Sequence, residues 1–574
     1  MICTLLTVAL AAPLSGPVPG PHSTPGTDGL EALELRWDAR AVEHLWNRAA
    51  FGIRTDEIDV WVKKGPEALV DHLLAPRERS PEKSDRRWTY RGPSIDQVEF
   101  EQRTIEERRE YRTRIRSNYA KEFARLRNHW IGQMLRREDP LRDRMTLFWH
   151  GVFTSSYDNV RHPELIGRQH ETLRRHALGS YAEMLRSMLR DPALLIYLNN
   201  DENRKGKPNE NLAREVMELF SLGQGSGYTE IDVQEAARAL TGAGLARRRE
   251  VATYRFSEKQ HDAGEKTILG ASGPLGPDDL AEILLDQPAC ATFIARSLIE
   301  YLEGVPLAGE SGEARVARYA ARLRETNYDL RFFLRALFLD PEFYRDDVVG
   351  ARIASPVDYL VGLHVRFGGG VPAPFIAEAS RELGQDLFRP PNVKGWEEGI
   401  AWISTASFML RGNVAGALVG RIDRKAVRRD SEAFFEDLQE EGAMAEMSAE
   451  TMEDASRAQA RRDAMNRLTK SLSGAKYKPR RSAYKWLREE VGSGASDAAI
   501  VAALADRLLA VEPPAETLRM LQGRLESLRL AAGVPAGAAT SGLLAKSKRA
   551  TKTAEPILAE ICHLIFSLPE AQLH

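Results

Sequence analysis

The densest run of side chains able to move protons is Pro208-Asn209-Glu210-Asn211-Leu212-Ala213-Arg214-Glu215-Val216-Met217-Glu218-Leu219-Phe220-Ser221-Leu222-Gly223. On a helix, residues three and four apart share a face, so Glu210, Arg214 and Glu218 form one row. Asn211 and Glu215 form the row beside it, and Leu212, Val216, Leu219 and Phe220 supply the apolar side. Two neighbouring carboxylates whose surroundings separate their proton affinities can act as acid and base. The same pattern suits, and in large helical proteins more often marks, a buried Glu–Arg network that fixes how two helices cross. Asn209 has the residue type of an N-cap and Gly223 that of a residue just past a helix end, which predicts about three and a half helical turns.

A glycine-rich turn follows, Gly223-Gln224-Gly225-Ser226-Gly227-Tyr228, and then Thr229 with Asp232 at the spacing of a capping box. The next helix should reach Thr241, burying Val233, Ala236, Ala237 and Leu240, with Glu235 and Arg238 as a polar pair. Such a helical hairpin would bring Glu215 or Glu218 near Arg238. In the catalytic reading, Glu215 and Glu218 are acid and base, and the turn at His261 and Asp262 assists them. Arg214, Arg238 and Asn211 then contact a polar or anionic substrate, and Trp396, beside Gly395, offers a surface on which a ring can stack. His150, in Phe148-Trp149-His150, is either a further substrate contact or a packed core imidazole.

Metal and nucleotide motifs are incomplete. His170-Glu171 lacks the second histidine of a zinc-binding helix, because Arg174 stands in its place. Asp201, Asn203 and Gly206 resemble the start of a calcium loop, but Lys205 and Leu212 occupy ligand positions. Ser473-Gly474-Ala475-Lys476 has no partner motif, and Gly264-Glu265-Lys266-Thr267 lacks the spacing of a phosphate-binding loop. No metal ligand set is assigned, and the residues leave open whether a cofactor is used.

These residues need a scaffold, and the chain of 574 residues is long enough to bury more than one core. With 43% apolar and 28% charged residues it has the composition of a globular protein. Eighty basic against 82 acidic residues leave a net charge of −2, which argues against a nucleic-acid-coating protein. Cys3, Cys290 and Cys562 are too few and too far apart for a disulfide framework. Beyond the N-terminus no apolar run is long enough to span a membrane.

The expected fold is all-α, a multi-helix globular array with one long amphipathic helix and at most a small β-hairpin. The long helix is read over about residues 96–137, where Ile105, Tyr111, Ile115, Tyr119, Phe123, Leu126, Trp130 and Met134 form one stripe. Its arginines alternate with Glu106, Glu107, Glu110 and Glu122, the pattern of a solvated charged face. Residues 250–256 and 266–269 are the strand candidates and would pair as the hairpin. Proline opens a helix after Asp191, Gln287 and Asp340, each a polar residue suited to the N-cap. The last apolar helix is read from Pro556 to Phe566.

Residues 1–12 read as a secretory signal peptide without the usual basic start, and 13–34 as a Pro/Gly-rich linker. A main helical domain is expected at 35–420, a charged helical insert at 421–480, and a helical part packing on the main domain at 481–574. Localisation follows the leader: exported if it is a signal peptide, cytoplasmic if it is not.

Several blocks together resemble the bacterial "domain of unknown function 1800" family. They are His44-Leu45-Trp46-Asn47-Arg48-Ala49-Ala50-Phe51-Gly52, Pro140-Leu141-Arg142-Asp143-Arg144-Met145 running into Phe148-Trp149-His150, and Arg175-His176-Ala177-Leu178-Gly179. The most specific are the Pro208–Gly223 segment with Tyr228-Thr229, Ala237-Arg238-Ala239-Leu240-Thr241-Gly242, and Pro390-Pro391-Asn392-Val393-Lys394-Gly395-Trp396. His261-Asp262 is similar to the family's His-Asp step. The resemblance covers residues 40–420, with a weaker echo at Phe566-Ser567-Leu568-Pro569-Glu570. One departure is that Gly151 and Val152 stand where the family usually carries a second histidine after Phe-Trp-His.

The resemblance implies an exported, mostly helical bacterial protein, often encoded beside a sulfatase-like exported protein, and it implies no established activity. Two classes of function follow. One is a hydrolase or lyase acting on a polar polymer such as a glycan through the Glu/Arg/His set. The other is a non-catalytic scaffold that docks a partner such as the sulfatase-like protein. No nucleic acid and no integral membrane segment is expected.

Overall fold

In the computed structural model, the structure describes residues 35–75, 88–91, 102–248, 251–366, 370–419 and 483–573. The proposed leader at 1–12, the linker at 13–34 and the insert at 421–480 lie outside them. Helices carry most of the described residues, and the strands among them form two separate two-stranded antiparallel sheets.

The long amphipathic helix is Ile105–Arg136. It begins where Thr104 accepts from the Glu107 amide while the Glu107 carboxylate accepts from Thr104, a reciprocal cap that satisfies donors the first turn leaves open. It ends at Arg137, whose left-handed backbone (φ 53°) breaks the helical path. Tyr111, Ile115, Phe123, Leu126, Trp130 and Met134 are buried as the stripe requires. Ile105 departs from that expectation: at 83% exposed it lies on the first turn, beyond the packed part of the helix. Arg127 anchors the buried flank by pairing with Asp386 at 2.7 Å and Glu378 at 3.4 Å.

The strand reading needs correction in its pairing. Val251–Phe256 (β2) pairs with Ala243–Arg248 (β1), and Lys266–Ile268 (β3) pairs with Ala271–Gly273 (β4). Each strand takes the partner nearest in sequence, which costs the least loop-closure entropy. The turn between β3 and β4 is Leu269-Gly270, with φ of 50° and 87°, the two-residue turn with both central residues left-handed. Leucine rarely takes that conformation, so Leu269-Gly270 carries no hairpin signal of its own.

Helix starts follow local chemistry unevenly. Asp191 accepts from the Leu194 amide at 2.9 Å and Asp340 from the Glu342 amide at 3.0 Å, whereas the Gln287 side chain makes no capping bond. The last long helix is Lys548–Phe566, capped by Ser547, so it starts before Pro556 and carries that proline inside. Pro556 therefore removes one interior backbone bond, which this helix tolerates while burying Ile557, Leu558, Ile561, Cys562, Ile565 and Phe566.

Two apolar clusters form the interior. One joins the first helices to residues 141–343. The other joins the inner part of Ile105–Arg136 to 354–388 and to the C-terminal helices. Gln572 ties the chain end to this second cluster, because Arg411 donates to its Oε1 at 3.1 Å and its backbone carbonyl accepts from Ala354 at 2.8 Å.

A carboxylate-rich wide turn as the candidate functional site

The segment after Pro208 is built by a relay of asparagines. Asn203 Oδ1 accepts from the Asn209 amide at 3.0 Å, and Asn209 Oδ1 accepts from the Asn211 amide at 3.0 Å. Asn203 in turn donates to Asn200 Oδ1 and to the Ala237 carbonyl, and Asn200 donates to the Ala243 carbonyl at 2.7 Å. Asn209 thus caps the segment locally, and buried Asn200 and Asn203 fasten it to the neighbouring helix and strand.

The expected regular helix of three and a half turns does not form. An α-helix runs only over Asn211–Glu215 and passes into a π-helical turn, Val216–Ser221. The Leu222 amide reaches the Met217 carbonyl five residues back at 2.9 Å, and Ser221 Oγ donates to the Val216 carbonyl at 2.6 Å. Tyr181 donates to the Phe220 carbonyl. The hydroxyls of Ser221 and Tyr181 thus serve carbonyls in a turn wider than an α-helix, a local geometry that occurs often at functional sites. Gly223 ends it with φ 88°, and a Cβ there would lie 2.9 Å from the Phe293 ring.

The wide turn sorts the carboxylates. Arg214 pairs with Glu230 at 2.7 Å, Glu210 at 3.2 Å and Glu218 at 3.6 Å. Burial first, and then the Glu218 charge, raise the nearby Tyr228 hydroxyl to about 12. Glu215 is half-buried and, among the described residues, makes no hydrogen bond or ion pair. Burial first, and then the like charge of Glu218, hold its carboxyl above the usual range, against the opposing pull of Arg214 and Lys394. Lys394, on the Pro390–Trp396 loop, is the weakest of these influences. Gly395 seats that loop on Gly151, since a Cβ at Gly395 would come within 2.9 Å of the Gly151 carbonyl.

Arg238 does not join Glu215 or Glu218. It binds Glu235 at 2.7 Å and Asp262 at 2.8 Å and donates to the Glu265 carbonyl, at the far end of helix Glu230–Ala239 from the Arg214 cluster. The Arg238 hydrogen bond and the Gly264 amide hold Asp262 well below the carboxylate range, at about 2. His261 Nδ1 lies 2.8 Å from the Thr241 carbonyl and so carries the proton there. Asp262 and His261 are therefore brought to Arg238 and Thr241, and among the described residues no hydrogen bond or ion pair links them to Glu215.

Asn211 is exposed on the first turn of the segment, and Trp396 is half-buried with its indole nitrogen enclosed and without a hydrogen-bond partner. His150 is 3% exposed. It sits 4.4 Å from the Trp130 ring, and its Nε2 is 3.1 Å from Nδ1 of His170. Burial pushes it down to about 3, so it is a neutral core imidazole. The second histidine of a pair therefore comes from helix Pro163–His176 rather than from the residues after His150. Among the described residues no group of three or more His, Cys, Asp or Glu gathers as a metal ion would require. No helix among them is long and apolar enough to cross a membrane.

Sequence spacing missed Tyr228, Lys394 and Glu230, which act on the wide turn from other segments. The resemblance blocks contain the first two residues, but only the fold assigns them to the carboxylates. Arrangement and architecture together define a mostly α-helical protein with a carboxylate-rich π turn between two helices. The chain belongs to the family described as Protein of unknown function (DUF1800), whose model matches residues 44–573 and thus extends past the blocks that first suggested it. No curated protein and no solved structure matches the chain.

Proposed function

We propose that this protein performs acid–base chemistry at the wide turn, as a hydrolase or lyase acting on a polar polymer such as a glycan. Glu215 carries the proton, and the neighbouring Glu218, which pairs with Arg214, helps keep the Glu215 affinity raised after burial. The observation that carries this reading is the unpaired, half-buried Glu215 next to a paired carboxylate. Lys394 offers a positive charge to an anionic group, a role for which Arg214 and Arg238 are less suited because carboxylates already occupy them. The test is the full chain and its Glu215→Gln variant against a panel of polysaccharides. Loss of about 10²–10⁴-fold in turnover is expected, and turnover equal to the parent removes Glu215 from the role.

A second reading is a scaffold that docks a partner such as a sulfatase-like exported protein. It is favoured by the same saturation of Arg214 and Arg238, which makes them internal braces. Recovery of a stable stoichiometric complex from the native host, with no turnover, supports docking over catalysis. Export belongs to this proposal and rests on the apolar run at 1–12. N-terminal sequencing of the protein from its host tests it, since a chain that still begins at Met1 has kept its leader.

A further inference from the structure

A buried phenol ties the wide turn to a distant segment of the chain. Tyr181, on helix Tyr181–Met188, is 0% exposed, and its hydroxyl donates to the Phe220 carbonyl in the last turn of Val216–Ser221. A helix end has no further amide for its last carbonyls, so a buried one needs a side chain or water as donor. The Phe220 ring is held as well. Phe153 packs on it with centroids 5.1 Å apart and lies 6.4 Å from the Tyr181 ring. Trp149, from Phe148-Trp149-His150, stacks on Tyr181 at 5.7 Å.

The backbone of Tyr181 is fixed by a strained turn. Its amide donates to the Tyr328 carbonyl at 3.0 Å, and the Leu330 amide returns a bond to the Gly179 carbonyl at 2.9 Å. Asn327 and Tyr328 both have left-handed backbones, with φ of 50° and 59°. Asparagine takes that conformation readily and tyrosine rarely, so the surroundings hold Tyr328 there against its own preference. Strain of this kind persists only where packing over-determines it, and it gathers at functional sites. Burial, and then the neighbouring Cys290 and Tyr328, keep the Tyr181 phenol far above its usual range. Its hydroxyl therefore stays a donor at every pH at which a carboxyl titrates.

We propose that Tyr181 is the positioning residue of the carboxylate pair, fastening the wide turn at Phe220 to the Asn327-Tyr328 turn and so fixing where Glu215 stands relative to Glu218. The proposal rests on the acid–base reading of Glu215, whose charged neighbours are Glu218, Arg214 and Lys394. Tyr181 touches no reacting atom in this role and acts through the backbone. Without its hydroxyl the buried Phe220 carbonyl loses its donor, and the turn must admit water to satisfy it. Water beside the turn weakens the burial that chiefly raises Glu215.

The test compares Tyr181→Phe with Tyr328→Phe in the full chain. Each variant removes a buried hydroxyl that donates to a carbonyl, in Tyr328 that of Leu285 at 2.7 Å, so the two should lower Tm by similar amounts. Only Tyr181→Phe should lower the Glu215 titration midpoint, read by carbon-detected NMR. It alone should also speed exchange of the Leu222 amide, which bonds across the wide turn. A Glu215 midpoint equal to or above the parent's, or lowered equally by both variants, overturns the proposal. The midpoint is read whether or not the chain turns over any polymer, so this failure is distinct from a Glu215→Gln variant that keeps its turnover. If Tyr181→Phe does not fold, amide exchange in the parent decides. The Tyr181 and Leu222 amides should open together with equal free energy, and a Leu222 amide that opens on its own overturns the tie.

Discussion

Arg214 donates two near-parallel hydrogen bonds to Glu230, at 3.0 and 2.7 Å, across the glycine-rich turn. That clasp joins the start of helix Glu230–Ala239 to the wide turn and commits Arg214 to partners other than Glu215. The proton affinity of Glu215 is therefore set by burial and by Glu218 more than by the nearest cation.

Glu218→Gln should lower the titration midpoint of Glu215, because the variant removes a like charge and leaves burial unchanged. Carbon-detected NMR titration of the Glu215 carboxyl reads this directly. An unchanged or higher midpoint would show that Glu218 does not act on it.

Gly223→Ala should destabilise the fold by about 1–3 kcal/mol, since alanine must take a left-handed backbone and its Cβ presses on Phe293. Chemical denaturation checks the value. Gly225→Ala faces the same backbone strain but meets nothing within 4 Å, so it should cost less.

Asp232 holds two amides at once, Thr229 N at 2.8 Å and Leu269 N at 2.7 Å. Asp232→Ala should therefore cost more than loss of an ordinary helix cap, about 2 kcal/mol. Amide exchange at Leu269 should accelerate in the variant, and unchanged protection there would count against the tie.

Two buried groups give opposite pH dependences. Burial raises Asp191 to about 7 against the Leu194 and Gln169 hydrogen bonds that favour its charge. The native state thus keeps a proton that the unfolded chain releases near pH 4, and stability should fall as pH rises toward 7, by at most about 1.4 kcal/mol per unit. Asp191→Asn, which keeps a capping oxygen, should flatten that slope. His150, lowered to about 3, remains neutral where the unfolded chain takes a proton, so its share of stability is complete above about pH 6.5 and declines as pH falls from there toward 3. Denaturation midpoints followed from pH 4 to 8 in the parent and in Asp191→Asn separate the two.

Local rules were legible in the residues themselves. The apolar stripe from Tyr111 to Met134, the Thr229–Asp232 box, the Asp191 and Asp340 caps and the Glu235–Arg238 pair all depend on neighbours within four residues. Each forms because helical geometry brings those positions together whatever surrounds them. The π turn was not legible, because its wide hydrogen bonds are accompanied by bonds from the Ser221 and Tyr181 hydroxyls, and Tyr181 is remote in sequence. Helical spacing alone would have kept Glu215 and Glu218 in a regular row.

The sequence by itself determined the helical architecture, the blocks that place the chain in its family, and which short segment gathers the carboxylates. Tertiary structure decided the allegiances: Arg214 to Glu230, Arg238 to Asp262, Lys394 toward Glu215, His150 to His170 and Arg48 to the Val348 carbonyl. The reason is range. Periodicity and capping act over a few residues, whereas the charge state of a carboxyl or the partner of a guanidinium depends on desolvation and on groups that only the folded chain brings within a few ångströms.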